Sequence, residues 1–125
     1  MGRKKKITVE SVFTETTSSM MSLGVYKTEF DPAIKRYAEL RIQYCEVMED
    51  FSRNNCKITE EYTNKSGATN IRKTAIYQAL ENLRKEMTDM ENYLGLTPYG
   101  LKRIKEKGFA EKKQSKFELG LESLK

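Results

Sequence analysis

Apolar positions in this chain fall into two long helical stripes separated by a polar interval. From Phe30 to Phe51 they step by three and four, through Ala33, Tyr37, Leu40, Tyr44 and Val47, the spacing of a helix face that packs on one partner. A second stripe, Ile34, Ala38, Cys45 and Met48, runs beside the first. One helix cannot cover both, so a second partner is required, and these four residues are the expected oligomer interface. Asp31-Pro32 supplies a start signal, because Asp can accept bonds from the first free amides and Pro occupies the first turn without wasting a donor. A helix is therefore predicted over about 31–54. Farther along, Ile76, Leu80, Leu83, Met87, Met90 and Leu94 form a seam of about three heptads, which predicts a second helix over about 71–94, starting near Asn70. Methionines at this spacing fill gaps in a core. Paired antiparallel, the two segments make a long helical hairpin.

The interval between them carries an alternating stretch, Ile58 to Thr63, followed by the turn signal Asn64-Lys65-Ser66-Gly67. It predicts a loop or a short β-ribbon at the tip of the hairpin. Before the hairpin, Val9, Val12, Phe13, Met20 and Leu23 suggest a short helix from Thr8, with Thr8 and Ser11 as caps and Gly24 as its stop. After it, Gly95 ends the second long helix, Thr97 caps another and Pro98 suits its first turn. This short helix runs from Pro98 to Lys107, with Leu101 and Ile104 among Lys102, Arg103, Lys105 and Lys107. The fold class expected is all-α. A flexible basic arm over 1–7, one helical domain over 8–108 and a basic tail over 109–125 complete the organisation, with Phe117, Leu119, Leu121 and Leu124 as a small docking segment in the tail.

Charge separates the ends from the middle. Residues 1–30 hold five basic and three acidic side chains, residues 31–57 five of each, residues 58–94 five and six, and residues 95–125 eight and four. A neutral assembly core with basic ends attracts polyanions through phosphate contact and counterion release. The candidate DNA contacts are Arg3, Lys4, Lys5 and Lys6 on the arm and Lys102, Arg103, Lys105 and Lys107 on the last helix. The hydrophobic content is 38% against 33% charged residues, so a chain of this size buries a modest core, and sharing apolar faces between copies eases the shortage.

The same composition excludes several function classes. The chain has no histidine, the usual general base, and its adjacent carboxylates Glu49-Asp50 and Glu60-Glu61 point in different directions. No glycine run cradles a phosphate. Cys45 and Cys56 have neither metal-ligand spacing nor the reach for a bridge along a straight helix. No enzyme activity, cofactor or metal is expected. No apolar run approaches the roughly 20 residues that span a bilayer, so the expectation is an unexported protein of the cytoplasm.

A long amphipathic helix running into Leu94-Gly95-Leu96-Thr97-Pro98, then a short helix containing Arg103, all preceded by the Asn64-Lys65-Ser66-Gly67 loop, resembles the small terminase subunits of tailed double-stranded DNA phages. The resemblance covers roughly Asp31 to Gly108. It implies a ring of helical hairpins that binds the packaging-initiation region of phage DNA and delivers it to a large subunit, which carries the ATPase and nuclease. Partners would then be double-stranded DNA, the terminase large subunit and further copies of the chain, with no membrane, in the host cytoplasm. In that family the residue after the helix-starting Asn is often Pro, where this chain has Ile71-Arg72-Lys73. Two other function classes fit the residues: a dimeric transcriptional regulator whose interface is the hairpin, and an interaction scaffold without DNA affinity.

Overall fold

The structure, a computed structural model, describes residues 6–107. Arg3, Lys4 and Lys5 of the expected arm, and the tail over 109–125 with its docking segment, lie outside the described residues. In chain order come helix α1 (Val9–Leu23), a single 3-10 turn (Thr28–Phe30), helix α2 (Asp31–Arg53), strands β1 (Thr59–Thr63) and β2 (Thr69–Lys73), and helix α3 (Ala75–Leu94). Residues 98–107 are again helical, and we label them α4.

The ribbon changes the expected fold in two respects. The fold is mostly helical but not all-α, since β1 and β2 form a two-stranded antiparallel sheet. Its β-branched residues Thr59, Thr63, Thr69 and Ile71 favour extended backbone, and the turn is built locally. The Asn64 side chain accepts bonds from the Ser66 amide and hydroxyl and from the Ala68 amide, while Gly67 takes φ +82°, a conformation that favours glycine. The second correction follows from the first: α3 starts at Ala75, not near Asn70. Its cap is Thr74, whose hydroxyl accepts from the Tyr77 amide at 3.2 Å and donates to the Lys57 carbonyl at 2.8 Å. One residue thus starts the helix and closes the base of the ribbon. The Ile71-Arg72-Lys73 departure from the terminase pattern falls in β2, ahead of that cap.

The start of α2 also differs from the expected arrangement. Asp31 makes no capping bond; its carboxylate accepts the Tyr26 hydroxyl at 2.9 Å, and the 3-10 turn before it feeds the chain into the helix. At α1 the expectation holds. Thr8 and Ser11 form a reciprocal capping box and Gly24 closes the helix in the left-handed conformation.

Helices α2 and α3 pack antiparallel in one register. Phe51 meets Tyr77 with ring centroids 6.0 Å apart, the Arg84 guanidinium reaches the Tyr44 hydroxyl at 3.4 Å, and the Tyr37 hydroxyl donates to Glu91 at 2.8 Å. Each contact lies two helical turns from the last on both helices. Leu80 and Leu94 from α3 and Leu40 and Phe51 from α2 are buried. The second partner required by the second stripe of α2 is α1, which presents Val12, Thr16 and Met20, all buried, at steps of four. Ile34 and Ala38 are fully buried within the chain and keep no surface for another copy. Cys45 is exposed and Met48 half-buried.

Tyr37 ties this core together chemically. It is buried beside Met20, Val25, Ile34 and Leu94, and burial, then the hydrogen bond to Glu91 and that carboxylate's charge, push its phenol from 10.0 up to about 12. A phenol whose folded pKa is raised contributes stability that is complete below pH 10 and is lost as pH climbs through about 12. Thermal unfolding from pH 9 to 12, followed by circular dichroism, is expected to show a falling midpoint above pH 10 that flattens in Tyr37→Phe. That variant also loses about 1 kcal/mol near neutral pH through the missing hydrogen bond.

Candidate nucleic-acid interface

The end of α3 is where the chain turns outward. Gly95 adopts φ +75° and its amide reaches back to the Asn92 and Glu91 carbonyls, while the Leu96 amide bonds Glu91 at 2.9 Å; this is the two-bond stop that glycine permits. Thr97 caps α4, accepting the Gly100 amide at 3.0 Å and donating its own hydroxyl to the Asn92 side chain. Pro98 occupies the first turn. Cap and stop therefore share Asn92, which locks the two helices at one angle.

Contact is closest at Gly100. A β-carbon there would overlap the Asn92 carbonyl, so the first turn of α4 rests directly on α3 backbone. Leu101 and Ile104, half-buried and three residues apart, pack on the core cluster of Met20, Val25, Ile34, Tyr37 and Leu94. Their anchoring dictates what faces out. Lys102, Arg103, Lys105 and Lys107 are all exposed. Against these four cations α4 carries one acid, Glu106, which approaches Lys102 at 4.0 Å.

One member of this surface has no counterpart in the sequence expectations. Tyr99 is 61% exposed, and the Arg103 guanidinium lies 5.7 Å from its ring centroid. The aromatic face holds the arginine without neutralising it. Spacing of four on a helix, aromatic before arginine, is the signal that identifies the pair.

Lys6, the described member of the arm, is exposed ahead of the α1 cap. It belongs to the other end of α1, about 20 Å along the helix axis from the Met20 end on which α4 packs. The structure thus gathers Lys102, Arg103, Lys105 and Lys107 on one helix and keeps Lys6 apart from them. Among the described residues, no group of three acidic, cysteine or histidine side chains is arranged to hold a metal ion, no helix is long and apolar enough to cross a membrane, and both cysteines are free and exposed.

A family model described as phage terminase, small subunit, matches residues 10–111. No curated protein and no solved structure matches the chain.

The close approach at Gly100 makes a specific prediction. Gly100→Ala must push α4 off α3 and is expected to cost about 1–3 kcal/mol, while α2 and α3 keep their pairing. Helical content by circular dichroism should fall by no more than α4, and limited proteolysis should shift to cuts after Lys102 and Arg103.

Proposed function

The chain belongs to the phage terminase small-subunit family, and we propose that it is a non-enzymatic, ring-forming DNA-binding subunit. In this reading it recognises viral DNA at the packaging-initiation region and recruits the large ATPase and nuclease subunit, in the cytoplasm of the host. The observation that carries the DNA part is α4. Four exposed cations project from a helix whose own apolar side is fixed to the core, so the backbone that presents the charges needs no ordering on binding. Phosphate oxygens are their natural ligands, through Lys point charges and the planar Arg103. Arg3, Lys4, Lys5 and Lys6 add a second set of contacts from the arm.

Assembly is supported by what the single chain leaves uncovered. Met21, Ile58, Tyr62, Ile71 and Tyr93 remain exposed outside α4. Cys45 and the half-buried Met48 give α2 an outward strip for a neighbouring hairpin. Several weak α4 sites on one assembly bind one duplex strongly, because each engagement raises the effective concentration of the next. Nothing in this mechanism requires an active site, a cofactor or a metal.

The test is duplex binding measured across a salt series. Wild type is expected to lose affinity steeply as salt rises. Lys102→Ala combined with Arg103→Ala should lower affinity and reduce the slope of log K against log salt by about one to two per engaged chain, with helicity unchanged. An unchanged slope removes α4 from the interface, and absence of any salt-sensitive binding favours the interaction scaffold.

A further inference from the structure

The β-ribbon stands apart from the core. All ten residues of β1 and β2 are exposed, and Ile71 is 75% exposed. A two-stranded ribbon with no covered face is marginal alone, and both of its outer edges present unpaired backbone groups. Neither edge carries the proline or bulge that blunts strand pairing.

Its charges are sorted by strand. β1 contributes Glu60 and Glu61; β2 contributes Arg72 and Lys73. Cross-strand partners are Glu60 with Arg72 and Glu61 with Ile71, and the first of these is a 2.9 Å ion pair. We propose that the ribbon is an assembly edge on which β1 of one copy pairs antiparallel with β2 of a second copy, head to tail. This rests on the assembly part of the proposed function.

Charge decides the polarity. Pairing β1 with β1, or β2 with β2, sets like charges against each other, which destabilises a sheet. Pairing β1 with β2 of the next copy repeats the partnership that already holds within the chain. Arg72 then lies between two Glu60 carboxylates, and Glu61, which makes no ion pair among the described residues, lies diagonal to a neighbour's Lys73 on the same face of the sheet. A head-to-tail contact repeats and closes into a ring when its rotation allows, whereas a two-fold contact stops at a dimer. The ribbon is at the opposite end of α3 from α4, about 30 Å away along the helix, so strand pairing leaves the basic helix free. The two carboxylates of β1, Glu60 and Glu61, disfavour DNA as the ribbon's ligand.

The experiment is light scattering of the full chain over a concentration series, with circular dichroism as the control for folding. Glu61→Lys and Lys73→Glu, each alone, are expected to raise the concentration of half-assembly about two- to fivefold per interface. An equimolar mixture of the two restores it, since alternating the variants sets opposite charges at positions 61 and 73 across every interface of an even ring and all but one of an odd ring. Ile71→Asp weakens assembly and is not rescued by either. Wild-type assembly that all three variants leave unchanged, or a mixture no better than its components, overturns the ribbon edge and leaves the ring intact. A monomeric wild type overturns both. Variants that keep their mass and lose DNA affinity overturn the ribbon edge in favour of a nucleic-acid strap.

Discussion

Antiparallel packing of α2 on α3 positions both features that reach outward. The contacts at Phe51 with Tyr77, Tyr44 with Arg84 and Tyr37 with Glu91 hold a single register, and a slip by one turn would break all three together. With that register fixed, Thr74 falls where it closes the ribbon and Asn92 falls where Gly100 can rest on it. The ribbon and α4 are thus placed at opposite ends of one rigid pair. Helix α1 adds the third layer by packing on α2, with Met20 and Ile34 in one buried cluster, and the loop after it brings Val25 against the α3 stop.

This division of labour matches the charge distribution. The paired helices carry six basic and nine acidic side chains, a mild acidic excess, whereas α4 carries four cations and one acid at an end free of the ribbon. In the proposed reading, assembly and DNA contact fall on separate elements of the chain. Affinity then depends on how many copies engage, and each contact stays weak enough to release.

Much of the frame is legible in the sequence because it obeys strong local rules. Leu80, Leu83, Met87 and Leu94 step at heptad spacing, Gly95 and Thr97-Pro98 combine a stop with a start, and Thr8 and Gly24 bracket α1. Elsewhere local rules compete. Asn70 looks like a helix start, yet Thr69 to Lys73 pairs with β1, because β-branched side chains and the Asn64 turn favour extended backbone there, and the cap passes to Thr74. Asp31 looks like a cap, yet Tyr26 claims its carboxylate. Ile34 and Ala38 resemble an interface between copies because α1, rich in Ser and Thr, shows little apolar surface; yet both are fully buried within the chain, Ile34 in one cluster with Met20. The basic residues of α4 are visible from composition, but the Tyr99 to Arg103 pairing requires the helix register, and the sorting of charge between β1 and β2 has meaning only once the two strands are known to pair.

The most direct measurement is the solution mass of the wild-type chain, alone and with duplex DNA, by light scattering at low and moderate salt. The expected result is an assembly several times the 14.5 kDa of one chain, stable as salt rises, whose DNA complex dissociates over the same range. A monomer at every concentration, or a dimer whose DNA binding is indifferent to salt, would contradict it.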